Sequence, residues 1–219
     1  MKKRTVLMLA IVATLLSIAF AVSSYYGLDR YIALHVKGSD GLIEGYHKLP
    51  EANNKQKTVI TFSALPQDFG KLRPMINSIL DQTRRVDRIT LVTPRSHEGY
   101  NIPDFITKVA NVQQAGKDYG DGTKIIPALL KEKEGDTIII ALDSGWVYGK
   151  DFIETMVDSV TKNDDKLLTD SKNTTIVVKP EYFDYDVIDR DRDKFDKQWF
   201  TDKAKNSEVI PYSENYTSF

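Results

Sequence analysis

The sequence predicts an α/β fold, a mainly parallel sheet flanked by helices, preceded by an N-terminal membrane helix. Short apolar, β-branched runs recur between residues 58 and 180, and segments with apolar residues at helical spacing alternate with them. Such alternation is typical of parallel sheets joined by right-handed crossovers. An uninterrupted apolar run at residues 6–22 predicts the membrane helix. With 219 residues, the chain can bury one sizeable core.

The apolar run is preceded by three basic residues at positions 2–4 and contains neither charge nor proline. We interpret it as an uncleaved transmembrane signal-anchor at 6–22. The alternative is a cleaved signal peptide, because residues 19–21 form a small-x-small site. Basic residues stay on the cytoplasmic side, so residues 1–5 are expected to be a cytoplasmic tail. The remainder would lie on the non-cytoplasmic side, as in a single-pass type II protein, in a Golgi-like lumen if the cell is eukaryotic.

Residues 23–57 are predicted to form a stem or linker. Glycines interrupt its short apolar pieces, and the polar stretch 51–57 offers no face to bury. His35 and His47 lie in this segment without the close partners that a metal site needs, so we expect solvated side chains. The globular domain is predicted to comprise residues 58–219.

Apolar periodicity predicts the elements of this domain in order. Strands are predicted at residues 58–65, 88–94, 108–114, 137–142 and 174–179. Apolar stripes at helical spacing predict helices containing Leu72, Met75, Ile76, Ile79 and Leu80, then Ile125, Ile126, Leu129 and Leu130, and finally Phe152, Ile153, Met156, Val157 and Val160. Asp151 opens the last helix with Glu154 three residues later, as in a capping box.

The composition excludes several classes of function. A formal net charge of -1 and a pI near 6.3 provide no overall field that attracts nucleic acid, so no nucleic-acid partner is expected. The chain has no cysteine, which excludes thiol catalysis, zinc-thiolate sites and disulfides.

The fourth predicted strand ends abruptly at a carboxylate, Asp143, and the turn-forming residues Ser144 and Gly145 follow it. In open α/β sheets, ligands bind outside the carboxyl ends of the strands. Asp143 is therefore expected to lie at the ligand-binding edge of the sheet, where it could contact a charged ligand or a metal ion bound to that ligand. The alternative is that this aspartate only starts a turn or caps the segment that follows.

Three separated blocks occur in a defined order: TFSALP, INSILDQTRRVDRITLVTP, and DYGDGTKIIPALLKEKEGDTIIIALDSGWVYGKDFIETMV. Together they resemble the nucleotide-sugar-binding half of family 2-like glycosyltransferases with the GT-A, Rossmann-like fold, over residues 58–160. The resemblance implies a membrane-anchored protein that transfers a sugar from a nucleotide-sugar donor to a glycan or other hydroxyl acceptor. The implied alternative is a catalytically inactive glycosyltransferase-fold protein that acts as a binding or accessory subunit.

The resemblance also implies donor-binding residues, namely Asp118, Lys124 and Asp143. Family members commonly hold a divalent cation, Mn²⁺ or Mg²⁺, with an Asp-x-Asp motif. Here the motif is degenerate, since Asp143-Ser144-Gly145 keeps only the first acid, and Asp143 is the single metal ligand implied. Two of these residues also have a structural alternative: Lys124 would be a solvated lysine in the first turn of a helix, and Asp118 would belong to a turn.

Neighbouring residues carry similar alternatives. Thr123 is expected to cap the following helix, and Trp146 and Tyr148 either stack on a sugar or base or pack in the core. The general base of an inverting enzyme stays unassigned among the acids after Pro180, so no catalytic residue is named. Only 39 residues follow Pro180, and the acceptor half therefore looks abbreviated relative to the family.

Overall fold

The structure, a computed structural model, describes residues 2–25, 28–53, 55–94, 100–116, 119–132, 137–162, 168–170, 176–178, 208–210 and 217–218. Its helices are α1 (Lys2–Tyr25), α2 (Leu28–Val36), α3 (Ser39–His47), α4 (Arg73–Leu80), α5 (Asp104–Thr107), α6 (Ile126–Lys131) and α7 (Phe152–Lys162). Its strands are β1 (Thr58–Ser63), β2 (Arg88–Thr93), β3 (Asn111–Gln114), β4 (Ile138–Leu142), β5 (Trp146–Val147), β6 (Leu168–Asp170), β7 (Ile176–Val178), β8 (Glu208–Ile210) and β9 (Thr217–Ser218).

Within the described residues, the main sheet has the strand order β3-β2-β1-β4-β7-β6-β8. The interior strand β1 pairs in parallel with β2 and β4, so that Ile60 lies opposite Ile89 on one side and Ile140 on the other. β2 and β3 are also parallel. The predicted α/β architecture, a mainly parallel sheet flanked by helices with an apolar helix before it, is confirmed.

The strand β7 runs against its neighbours in this sheet. It pairs antiparallel with β4 and with β6, whereas β6 pairs in parallel with β8. The sequence pattern predicted β7 but neither its direction nor β6, which precedes it in the chain. A parallel pair needs a crossover of a dozen or more residues, whereas strands separated by a short connection pair antiparallel. Only residues 171–175 separate β6 from β7, which explains the reversal.

Successive residues of β1 serve two cores on opposite faces of the sheet, because side chains alternate along a strand. Ile60 and Phe62 belong to a cluster with the apolar faces of α4 and α7. Val59 belongs to a second cluster with Ile126 and Leu129 of α6. All six residues of β1 except the last are buried, as a strand covered on both faces requires.

Residues 28–47 differ from the predicted linker, since α2 and α3 pack against α4. Leu34 and Leu42 are buried, and so is Tyr46, whose hydroxyl accepts a hydrogen bond from the Val86 N–H at 2.8 Å. Burial raises the pKa of Tyr46 to about 12. The short helices escaped prediction because each has only one or two buried apolar residues, too few to establish a period.

The helix α1 contains the apolar run 6–22 after three basic residues and is the candidate membrane helix. Within its stretch Lys3–Ser24, an 18-residue window has a mean hydropathy of 2.6 and is not buried against the rest of the protein. By length and composition this helix qualifies as a membrane span or as a signal segment.

Candidate functional site

The carboxyl ends of β1, β2 and β4 meet at one edge of the sheet, where a cavity of about 690 Å³ opens. This is the edge at which ligands bind in open α/β sheets. The cavity is lined by Ser63, Ala64, Leu65, Asp68, Lys71, Leu72, Pro74, Met75, Pro94, Gly120, Thr123, Ser144, Gly145 and Trp146. The turn after β4 and the segment before α6 therefore border the same space.

Lys124 and Asp143, both predicted as donor-binding residues, form an ion pair beside this cavity. The Lys124 Nζ atom lies 3.1 Å from Asp143 Oδ1. The lysine side chain is 9% exposed and the aspartate side chain 47% exposed. Their chain neighbours Thr123 and Ser144 line the cavity itself. Lys124 is thus not the solvated lysine of the alternative interpretation, and Asp143 presents the accessible part of the pair.

The buried position of Lys124 follows from the segment that carries it. Gly120–Lys124 forms a 3-10 helix that begins at Gly120, whose φ of 57° favours glycine. The Thr61 hydroxyl in β1 donates a hydrogen bond to the Lys124 carbonyl at 2.7 Å. This bond offsets the cost of burying the Thr61 hydroxyl, and a threonine inside an apolar strand is the sequence signal for such a contact. The third predicted donor residue, Asp118, lies outside the described residues.

The turn after β4 is held by the hydroxyl of Tyr148. This hydroxyl donates to the Asp143 carbonyl at 2.8 Å and accepts from the Asp143 N–H at 3.0 Å. The Tyr148 N–H in turn donates to the Ser78 hydroxyl of α4 at 3.1 Å. The two hydrogen bonds of the Tyr148 hydroxyl were not predicted, because a side chain that bonds the backbone five positions earlier leaves no periodic pattern in the sequence. The backbone of Asp143 is consequently held in place by a side chain of the buried core.

The two aromatic residues after Asp143 have different environments. Tyr148 is buried and its ring lies 4.6 Å from that of Phe152, so the packing interpretation applies to Tyr148. Trp146 is partly buried against the core and lines the cavity.

The segment before α6 differs from its prediction. Thr123 lies inside the 3-10 helix instead of at the N-cap of α6, and its hydroxyl accepts a hydrogen bond from the Tyr119 N–H at 3.0 Å.

Glu154, predicted as part of a capping box, accepts a hydrogen bond from the Thr83 hydroxyl at 2.9 Å and pairs with Arg84 at 3.2 Å. It therefore joins α7 to the segment after α4.

The described residues do not form a divalent-cation site by themselves. Mn²⁺ and Mg²⁺ prefer about six oxygen ligands in octahedral geometry. Within the described ranges, no three His, Asp or Glu side chains form a group suited to a metal. The carboxylate of Asp143 instead has an ammonium group at 3.1 Å, a charge that repels a cation.

The sequence matches no model of a protein family and no curated protein. Among solved structures, a mannosyltransferase, PcManGT from Pyrobaculum calidifontis in complex with GDP-Man and Mn²⁺, is similar with 11% identity and a TM-score of 0.44. The chain is covered to 80% and spans 57% of that protein. The structure of S. aureus TarS is similar with 12% identity and a TM-score of 0.47, covering 74% of this chain and 36% of TarS. The chain thus spans less than two thirds of both proteins.

Proposed function

We propose that the chain is a membrane-anchored glycosyltransferase-like protein that transfers a sugar from a nucleotide-sugar donor to an acceptor hydroxyl. The observation that carries this proposal is the Lys124–Asp143 ion pair at the carboxyl edge of the sheet, beside a cavity of about 690 Å³. This volume lies within the range of about 300–1,000 Å³ that is usual for small-molecule sites. The resemblance over residues 58–160 supplies the reaction class.

The two side chains of the pair suit different parts of a nucleotide sugar. A nucleoside diphosphate carries negative charge, which increases as the sugar leaves, so the ammonium of Lys124 attracts it and the carboxylate of Asp143 repels it. Sugar hydroxyls donate hydrogen bonds to carboxylates. We therefore assign the phosphates to Lys124 and a hydroxyl of the donor to Asp143, the more exposed of the two side chains. No step is assigned to a metal, because Asp143 is the only described acid of the motif.

Anchoring through α1, with the site on the non-cytoplasmic side, forms part of the same proposal. It rests on the charge-free apolar run 6–22 within this helix and on the basic residues at positions 2–4. A lumenal compartment that imports nucleotide sugars would supply the donor.

Calorimetric titration of the full chain in non-ionic detergent tests the donor site. The probes are nucleoside diphosphates and the corresponding nucleotide sugars, each with and without Mn²⁺. Lys124→Met should weaken the binding of both classes of probe by about tenfold or more, since a charge-assisted contact is lost. Asp143→Asn should weaken the binding of nucleotide sugars more than that of diphosphates. Lys48→Met is the matched control, because Lys48 is exposed and pairs with Glu44 on α3.

Absence of binding to every nucleotide in both metal conditions would contradict the proposed function and favour the inactive accessory subunit. Equal weakening by Lys124→Met and by the Lys48→Met control would show that the pair is not a phosphate site. Binding that requires Mn²⁺ and is lost in Asp143→Asn would contradict the metal-free assignment and show that Asp143 and the diphosphate hold the ion together.

A further inference from the structure

The helix α2 carries an apolar stripe that faces away from the domain. Leu28, Ile32 and Val36 follow one another at intervals of four residues and therefore share one side of the helix. Their exposed fractions are 43%, 51% and 78%. The opposite side carries Leu34, which is 3% exposed, and Arg30, whose guanidinium lies 2.9 Å from Asp81. α2 thus packs on the domain with one face and leaves a second apolar face outside.

This orientation is fixed by a buried side chain of α4. The amide nitrogen of Asn77 donates to the carbonyls of Leu34 at 2.6 Å and Lys37 at 2.9 Å. Its oxygen accepts from the Ser39 hydroxyl at 2.9 Å. Rolling α2 to bury the stripe against the domain would break these contacts and expose Leu34. The stripe is therefore outward-facing in the folded protein.

The stripe begins next to the end of the apolar helix α1. Tyr25 ends α1 and Leu28 begins α2, so their Cα atoms are at most about 11 Å apart, which is three steps of 3.8 Å. The Ser24 hydroxyl lies 3.4 Å from an oxygen of Asp29, which brings the two helices together here. The 22 residues of Lys3–Ser24 extend about 33 Å, close to the thickness of the hydrocarbon core of a bilayer. If α1 spans a bilayer, α2 starts at the level of the headgroups.

We propose that α2 lies in the interface of the bilayer that α1 spans, with Leu28, Ile32 and Val36 inserted among the lipids. The inference rests on the anchoring in the proposed function. Interfacial helices bury an apolar face by about 5–10 Å at the boundary of headgroups and acyl chains. A lipid surface thus covers the stripe, because the stripe is continuous with the membrane helix. Since Asn77 ties α2 to α4, and Pro74 of α4 lines the cavity, this contact holds the site at a fixed height above the membrane.

The absence of cysteine from the natural sequence allows a direct test with single-cysteine variants of the full chain. Ile32→Cys and Val36→Cys report on the stripe, Leu15→Cys reports on α1, and Lys48→Cys is the exposed control after α3. Each variant is labelled with an environment-sensitive fluorophore and reconstituted into phosphatidylcholine vesicles. Quenching is measured with nitroxide-labelled phospholipid and, separately, with iodide in the water.

We expect the labels at positions 32 and 36 to be quenched by the nitroxide lipid several-fold more than the label at position 48, and to be protected from iodide several-fold. The inference is overturned, and the anchor retained, if only the label in α1 responds to the lipid. Labels on the stripe that neither quencher reaches would show that protein covers it, which also overturns the inference. A label at position 15 that does not respond to the lipid would refute the anchor and this inference together. Nucleotide binding is measured independently in the calorimetric titration.

Discussion

Glu132 is the centre of a charged cluster that joins α6 to the amino ends of β1 and β2. Its carboxylate accepts a hydrogen bond from Lys57 Nζ at 2.7 Å and another from the guanidinium of Arg88. The side chain of Glu132 is 4% exposed, that of Arg88 17% and that of Lys57 39%. Replacing Glu132 with Gln removes the negative charge between two cations while keeping the shape of the side chain.

The expected loss follows from burial. Breaking a fully buried ion pair costs about 3–5 kcal/mol, and a hydrogen bond to a charged group contributes about 1.5–3 kcal/mol. Lys57 can turn back to water after the change, whereas Arg88 has less access to it. We therefore expect Glu132→Gln to lower the free energy of unfolding by about 2–3 kcal/mol at pH 7.

The same cluster predicts how this difference varies with pH. Burial raises the pKa of Glu132, but hydrogen bonds from Lys57 and Arg88 and their charges outweigh it, so that the pKa lies below the ordinary value of 4.5. A folded-state pKa below the unfolded one means that the stabilisation is complete above pH 4.5 and is lost as the pH falls through the folded-state pKa. The difference in stability between wild type and Glu132→Gln should therefore shrink below pH 4.5.

Urea unfolding of the full chain in non-ionic detergent, followed by the fluorescence of its two tryptophans, measures both effects. Glu44→Gln is the control, since Glu44 forms an exposed pair with Lys48 on α3 and should change stability by less than about 0.5 kcal/mol. The reasoning is refuted if Glu132→Gln is no more destabilising than Glu44→Gln at pH 7. A loss of unfolding free energy in Glu132→Gln that is equal at acid and neutral pH would refute the negative charge assigned to Glu132.

Two further changes test the connections around the site. Asn77→Ala removes three hydrogen bonds of a buried amide, so we expect the free energy of unfolding to fall by about 3 kcal/mol in the same assay. Ser39→Ala removes only one of these bonds and should cost about 1 kcal/mol. Equal losses would contradict the role of Asn77 in holding α2 on α4. Tyr148→Phe removes both hydrogen bonds to the Asp143 backbone, and we expect a loss of about 1–3 kcal/mol together with weaker nucleotide-sugar binding in the titration. Unchanged stability and binding would show that the hydroxyl does not position Asp143.

Local pattern was sufficient for the strands and helices that form the core. β1 and β4 are continuous apolar runs because both of their faces are covered, and α4 and α7 show their buried faces as helical periodicity. The edge strand β3 was predicted less accurately, beginning at Asn111 instead of 108, since its side chains are mostly exposed and supply little pattern. Period and burial are properties of neighbouring residues, which a sequence contains directly.

The candidate site was predictable only in part. Asp143 was predicted at a binding edge from the rule for open sheets, and its place beside the cavity agrees with that rule. The contact with Lys124 could not be predicted from the sequence, because the two residues are 19 positions apart on different elements. The 3-10 helix that carries Lys124 is in turn hydrogen-bonded to Thr61 of β1. The role of the Tyr148 hydroxyl, which holds the turn, likewise could not be predicted from the sequence.

Sequence patterns therefore predicted the α/β class, the apolar helix before it, and the edge of the sheet at which to look for a ligand. The direction of β7, the packing of α2 and α3 on α4, and the pairing of the two charges at the site became known only from the folded chain. The physical reason is that periodicity records which face of an element is buried but not which partner buries it. A single polar contact between distant segments, such as those of Asn77 or Lys124, has no period and depends on the folded chain.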